Sequence, residues 1–270
     1  MTTSNLPDTI LSAIKSGDLE QLQKHYDSDM SLEEVAQKAA SNGQADIIEW
    51  CYSQGWAAKS PSFNDDFYIC AIDGASPAVF QVLINHGWDI NAHETETVGD
   101  ALTCAISSEN YDFAKWLLDH GHRSTPIDGN YGNSSVSELI KEGSDSALKM
   151  LKLLLDYKIN LKDGGMVMVA ANYGHVEFLR LLLDYGVDTE DRATQWYPFD
   201  NEEENPYATE GTGLYRACRQ GHTDCVRLLL NRGANAQAKD DSGTSCLAIA
   251  KERHHDDIVE LLLEHGATKD

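Results

Sequence analysis

A leucine-rich run that ends in glycine recurs along the chain, and this repetition constrains the fold more than any other feature. Leu228–Ala234 (LLLNRGA) returns near the C-terminal end of the sequence as Leu261–Ala267 (LLLEHGA). Leu181–Val187 has the same form, and Trp116–Gly121 and Val82–Gly87 are looser copies. A regular period of about 20 to 50 residues indicates a repeat architecture, in which each repeat is stable only when stacked on its neighbours.

A second glycine stands twelve residues before the closing glycine, at Gly43, Gly174 and Gly221. Gly17 marks a degenerate first copy of the repeat. Glycine ends a helix readily because it enters the left-handed conformation without steric cost. Three residues after this landmark, an acidic side chain suits the first turn of a second helix, where the helix dipole favours negative charge. These acids are Glu20, Asp46, Asp112, Glu177, Asp224 and Asp257. Each repeat is therefore predicted to be helix, tight turn, helix, glycine cap and loop.

This pattern resembles the ankyrin repeat, whose period is about 33 residues. The family's T-P-L-H-x-A start is similar to Ser245–Ala250 (SCLAIA) and Thr212–Ala217 (TGLYRA). Its G-H turn is similar to Gly174-His175 and Gly221-His222, and its G-A-D-V-N close is similar to Gly87–Asn91 (GWDIN). The resemblance covers nearly the whole chain. It implies an all-α solenoid of stacked helix-turn-helix units with short hairpin or loop fingers, and it implies recognition of another protein.

We expect about eight repeats within a single domain, residues 1–270. Their predicted boundaries lie near 6–30, 31–60, 61–95, 96–130, 131–162, 163–208, 209–240 and 241–270. Repeat five is predicted to be divergent, because Lys158 stands where the closing glycine is expected and an irregular stretch, 123–137, precedes it.

An insertion at 188–211 separates repeats six and seven, because Gly186 and Gly233 lie much farther apart than one family period of about 33 residues. The segment is acidic and carries three aromatic residues, Trp196, Tyr197 and Phe199. One interpretation is a contact loop, since aromatic anchors dominate binding energy. The other is that the rings fold back and cover a groove, since exposed apolar patches are costly. The sequence leaves both open.

Four further candidates for partner binding lie on the first helices of repeats six and seven, where outward positions should line a groove: Asn172, Tyr173, Arg216 and Arg219. An alternative for the two arginines is that they neutralise the neighbouring acidic run Glu202–Glu204, since charges at a rim contribute little affinity.

Potential catalytic and metal-binding residues have simpler structural explanations. The four residues His254–Asp257 cannot all coordinate one metal ion, because adjacent residues of a helix point in different directions. The resemblance implies that His255 is the family's turn histidine. Cys70 and Cys104 fall on neighbouring helices about 10 Å apart, which exceeds disulfide reach. Phosphate-loop, nucleophile-elbow and dinucleotide motifs are absent from the sequence. We expect no metal, cofactor or catalytic residue, and the alternative is a small-molecule site or unusual enzyme in the groove beside the aromatic loop.

Charge limits the classes of partner. The chain has 44 acidic and 21 basic residues and a net charge of −23. Binding to nucleic acid or anionic membranes requires clustered Lys and Arg, so neither is expected. The acidity indicates either solubility alone or a partner with a basic surface. Six cysteines without a CxxC pair, and no signal-peptide pattern, favour an intracellular setting, cytoplasmic or nuclear. The predicted function is a protein-binding, scaffold or inhibitor module that uses its concave face and finger loops.

Overall fold

The computed structural model describes residues 6–58, 66–91, 100–122, 132–159, 161, 164–192 and 211–268. Within these ranges the chain forms sixteen α-helices, and the β-structure there is limited to isolated bridge residues, among them the pair Lys239 and Ser245. The all-α prediction is confirmed. The chain divides into two compact units, Met1–Ser124 and Thr125–Asp270, and the single-domain boundary 1–270 stays a prediction.

The N-terminal unit holds four helix pairs, one in each of the first four predicted repeats. They are α1 (Asp8–Ser16), α2 (Leu19–His25), α3 (Leu32–Ser41), α4 (Ala45–Ser53), α5 (Asp66–Gly74), α6 (Pro77–Asn85), α7 (Ala101–Ser107) and α8 (Tyr111–Asp119). First helices α1, α3 and α5 pack side by side, and second helices α4, α6 and α8 form a second row.

The C-terminal unit repeats the same plan. Its helices are α9 (Gly132–Glu142), α10 (Asp145–Asp156), α11 (Met166–Tyr173), α12 (Val176–Asp184), α13 (Gly213–Gln220), α14 (Thr223–Asn231), α15 (Cys246–Glu252) and α16 (Asp256–Glu264). First helices α9, α11, α13 and α15 pack in order, and second helices α10, α12, α14 and α16 do likewise. Leucines of the repeated run, among them Leu182, Leu229 and Leu262, are fully buried in this unit.

Left-handed residues end the helices at the predicted places. The glycines predicted to end first helices, Gly17, Gly43, Gly174 and Gly221, have φ values of 70° to 82°. In repeats three, four and eight the same position is held by Ala75, Glu109 and His254, also with positive φ. Lys158 has φ 58°, so repeat five keeps the conformation although it lacks the closing glycine.

The small residues before the first cap allow neighbouring first helices to approach closely. Ala39, Ala40, Ala170 and Ala171 are fully buried. The approach is closest where α5 meets α3: a Cβ added to Gly74 would lie 2.0 Å from the carbonyl oxygen of Ala40. Backbone therefore meets backbone at this point, and a larger side chain would force the helices apart.

At several junctions the residue after the first cap connects successive repeats. His175 Nε2 lies 3.1 Å from the carbonyl oxygen of Lys141, and Gln44 Nε2 donates to the carbonyl oxygen of Lys15 at 3.3 Å. His255 packs over Gly221 in the same way, since a Cβ there would come within 2.6 Å of its ring. The structural interpretation of His255 as a turn histidine is confirmed, and the ring stands at the start of α16.

Candidate functional site

The predicted residues Asn172 and Tyr173 end helix α11, beside helix α13. Asn172 contacts the next repeat at two points: its side-chain oxygen accepts a hydrogen bond from Gln220 Nε2 at the end of α13 at 3.3 Å, and its carbonyl oxygen lies 3.1 Å from Nε2 of His222, the N-cap residue of α14. Tyr173 is 39% exposed, and its ring lies parallel to that of His175 with centroids 6.2 Å apart. The end of α11 therefore presents an aromatic ring on a well-anchored backbone.

Arg216 and Arg219 lie one turn apart on α13, but their environments differ. Arg216 is only 3% exposed, whereas Arg219 is half-buried. A guanidinium group taken out of water must be compensated by hydrogen bonds or opposite charge, because its desolvation costs several kcal/mol. Arg216 is thus a constituent of the packed interior of the C-terminal unit, and Arg219 marks the edge of that interior.

The first-helix face changes its burial within the C-terminal unit. At the position five residues before the first cap, Glu138 of repeat five is exposed, whereas Val169, Arg216 and Ile249 of the next three repeats are buried. The same position is exposed at Lys38 in the N-terminal unit. The candidate surface of repeats six to eight is therefore limited to the C-terminal ends of their first helices.

A short finger between repeats seven and eight is organised around Asp240. One carboxylate oxygen accepts from Tyr215 Oη at 2.9 Å, and the other accepts from the backbone N–H of Thr244 and from Ser242 Oγ, both at 2.7 Å. Burial opposes the charge, but these hydrogen bonds outweigh it and hold the pKa of Asp240 below its usual value. The finger is fixed to the first helix of its own repeat through Tyr215. The turn composition of residues 240–244 (DDSGT) is the signal for this finger in the sequence.

A buried His–Asp pair lies in the N-terminal unit. His122 is 5% exposed and Asp100 is 7% exposed, with His122 Nε2 4.0 Å from a carboxylate oxygen of Asp100. Asp100 caps α7 through its other oxygen, which accepts from the N–H of Thr103 at 2.7 Å. Burial lowers the pKa of His122, and the Asp100 charge opposes that effect only in part. A neutral imidazole here replaces the apolar residue that other repeats place after the closing cap, such as Trp56 or Ala234.

Three of the predicted site residues, Trp196, Tyr197 and Phe199, lie outside the described residues. The other four occupy adjacent helices α11 and α13, and their role in partner binding stays a prediction. All six cysteines are free thiols. Among the described residues, the structure contains no group of three or more metal-ligating side chains and no helix long and apolar enough to cross a membrane.

This architecture, helix pairs closed by two left-handed residues and joined by fingers, defines a helical-repeat protein. A sequence profile for three copies of the ankyrin repeat matches residues 36–128 and 193–270, and a profile for a single ankyrin repeat matches residues 167–193. The chain belongs to the ankyrin-repeat family, and its fold is an all-α ankyrin solenoid. Ankyrin repeats are typical of protein-interaction modules.

Individual relatives are more distant. The chain is 24% identical over 209 residues to the ankyrin repeat and KH domain-containing protein mask-1 of Caenorhabditis elegans, covering 73% of this chain and 8% of that protein. It is 35% identical over 98 residues to the ankyrin repeat and SOCS box protein 5 of Oryctolagus cuniculus, covering 36% of this chain and 25% of that protein. The chain thus spans a quarter or less of these relatives.

Among solved structures, the ankyrin repeat protein EF0377 is similar, with a TM-score of 0.55 and 21% identity. The match covers 75% of this chain and 99% of EF0377. At this identity the likeness supports the fold alone.

Proposed function

We propose that the chain recognises another protein through the first-helix ends and finger loops of repeats six to eight. The insertion 188–211, with Trp196, Tyr197 and Phe199, is the main contact in this proposal. The observation that carries it is the exposed ring of Tyr173, which follows Asn172 at the end of α11, a helix that packs against α13 with its half-buried Arg219. Aromatic residues and arginine are the residue types enriched in binding hot spots.

The partner in this proposal carries a basic surface. The net charge of −23 favours association with positive charge, because complementary potentials steer encounter and reject partners of like charge. We place the protein in an intracellular compartment, cytoplasmic or nuclear, because six free cysteines suit a reducing environment.

The test is affinity capture from the native source with quantitative mass spectrometry, using the full chain as bait. Replacing Tyr173 and Arg219 by Ala should remove a captured protein that the parent retains, without a change in Tm. The matched control is Leu263→Ala, which removes a similarly exposed apolar side chain from a second helix. A partner that both variants retain would overturn the assignment of this face.

The insertion is tested by the triple change Trp196→Ala, Tyr197→Ala and Phe199→Ala. If the segment is a contact loop, capture falls and Tm is unchanged, because anchor residues contribute to binding rather than to folding. If the rings cover a groove, Tm falls and capture is kept or improved. The two measurements made on the same variant therefore separate the two interpretations.

A further inference from the structure

Repeat five departs from its neighbours in the length of its second helix. Helix α10 has 12 residues, whereas α12, α14 and α16 have nine each. Its two left-handed residues, Gly143 and Lys158, lie three positions farther apart than the corresponding pairs in the next three repeats. The C-terminal end of α10, and the residues that follow it, therefore extend beyond the point where the second helices of the next three repeats end.

Lys158 adopts a conformation that normally selects glycine. Its φ is 58°, while the same position is Gly186, Gly233 and Gly266 in the next three repeats. A side chain in the left-handed region crowds the following carbonyl oxygen, so lysine is a poorer choice than glycine for stability. A residue held in such a conformation against its preference is a reason to look for a function.

Two exposed tyrosines occupy the same position in repeats five and six. Tyr157 is 37% exposed and Tyr185 is 43% exposed, and both immediately precede the closing left-handed residue of adjacent repeats. Tyr185 is bonded to α10: its Oη donates to one carboxylate oxygen of Asp156, and Lys152 Nζ donates to the other at 2.7 Å. Because α10 and α12 pack side by side, both rings belong to one surface.

Positive charge is concentrated on the same surface. Lys149 and Lys152 are exposed one turn apart on α10, and Lys158 is exposed directly after it. The only acid between Lys149 and Lys158 is Asp156, which Lys152 and Tyr185 already engage, and Asp184, which precedes Tyr185, is paired with Arg232 at 2.8 Å. This lysine–tyrosine patch, made of Lys149, Lys152, Tyr157, Lys158 and Tyr185, therefore has an excess of positive charge within a chain of net charge −23.

We propose that the lysine–tyrosine patch is a second docking surface, which binds an acidic segment of a partner protein that carries an aromatic or aliphatic anchor. The lysines contact the carboxylates of the segment, and the two rings contact its anchor. Tyrosines supply large, rigid contact area, and desolvated ion pairs add specificity. This inference goes beyond the proposed function, because it concerns the second helices of repeats five and six and a partner of opposite charge.

The probe is a fluorescein-labelled synthetic peptide of four Glu-Glu-Phe triplets, titrated with the full chain and followed by fluorescence anisotropy. The measurement is made at about 150 mM salt, where a Debye length of about 8 Å screens the charges of the remaining surface. We expect saturable binding of the acidic peptide. Absence of saturation at the solubility limit of the protein overturns the proposal.

The double variant Lys149→Gln, Lys152→Gln should weaken binding at least fivefold. The matched control is Lys24→Gln, Lys38→Gln, which removes two exposed lysines from first and second helices of the N-terminal unit and should change binding less than twofold. Equal weakening by both pairs would show a response to net charge alone and would overturn the patch.

Lys158→Gly provides a readout that a purely structural role would not give. It should raise Tm, because glycine fits the left-handed conformation, and at the same time weaken peptide binding about threefold. Tyr185→Ala should weaken peptide binding. When it is combined with Lys158→Gly, the increase in Tm caused by Lys158→Gly should remain. If Lys158→Gly raises Tm and leaves binding unchanged, and Tyr185→Ala also binds like the parent, the surface is not a docking site.

Discussion

The ring of His222 lies over Gly174, and its Nε2 atom is 3.1 Å from the carbonyl oxygen of Asn172. A Cβ on Gly174 would come within 2.6 Å of the ring, so the missing side chain of one repeat makes room for the imidazole of the next. Glycine is therefore favoured at position 174 for two reasons. Its φ is 73°, and the ring of His222 occupies the space where a side chain would lie.

The hydrogen bond of this histidine can be replaced by that of an amide. Gln44 makes the equivalent bond across Gly17, to the carbonyl oxygen of Lys15. We expect His222→Gln to keep most of the stability and His222→Ala to lose about 1 kcal/mol or more, since a partly buried carbonyl loses its donor. Urea denaturation followed by circular dichroism measures the difference. Equal loss in both variants would mean that ring packing, not the bond, stabilises the junction.

Gly74→Ala should destabilise the N-terminal unit, although alanine in a helix normally stabilises by about 1 kcal/mol. The added Cβ would lie 2.0 Å from the carbonyl oxygen of Ala40, and overpacking of this kind costs about 1–3 kcal/mol. The matched control is Ser108→Ala at the equivalent position at the end of α7, where the side chain is exposed and the change should be within about 0.5 kcal/mol. A stabilised Gly74→Ala protein contradicts the close approach of α3 and α5.

Lys158→Gly should stabilise the C-terminal unit by about 1 kcal/mol, because non-glycine residues in the left-handed conformation cost about that much. The reciprocal change Gly186→Ala, at the same position of repeat six, should destabilise by a similar amount. Thermal melts of the two variants should therefore shift in opposite directions. A shift of both in the same direction would contradict the equivalence of the two caps.

Stability should depend on pH through His122. Burial lowers the pKa of this imidazole in the folded state, so below the unfolded value of about 6.5 the unfolded chain binds more protons than the folded one. The contribution is therefore complete above that value and is lost as the pH falls toward the lowered pKa. His122→Val, which copies Val187 of repeat six, should remove this dependence.

The comparison is made by denaturant titration at pH 7.5 and pH 5.0, followed by tryptophan fluorescence. Four of the five tryptophans, Trp50, Trp56, Trp88 and Trp116, lie in the N-terminal unit with His122. The parent should lose more stability than the variant between the two pH values. The same loss in both proteins would assign the pH dependence to other groups.

The periodic part of the fold could be predicted from sequence because it depends on local chemistry. Glycines such as Gly43 and Gly174 indicate the end of a first helix, and acids such as Asp224 indicate the first turn of a second helix. The structure has left-handed caps at the two glycines and the first turn of α14 at Asp224. The caps at Ala75 and Glu109 carry no such mark, because these residues do not prefer the left-handed conformation that they adopt.

The site was less predictable for a related reason. Tyr173 could be assigned to the end of a first helix from its place in the repeat, and it lies there, exposed. The burial of Arg216 could not be predicted, because exposure depends on what packs over a helix and not on its position within the repeat. A surface role for Tyr157 and Tyr185 could not be predicted from the sequence, because the residue before a closing cap is usually polar, as His86 and His120 are.

The fixed interval between the two left-handed residues of a repeat limits how this chain can vary over evolution. The interval is the same in repeats two, three, four, six, seven and eight, and in repeat five it is longer by nearly one helical turn, which is about 3.6 residues. A whole turn returns the following leucines to the same side of the helix, whereas one or two residues would rotate them toward water. The interval between repeats has no such restriction, and between Gly186 and Gly211 it has accepted the whole insertion. Insertions and deletions in homologues should therefore come in steps of three or four inside the helix pair and in any number outside it.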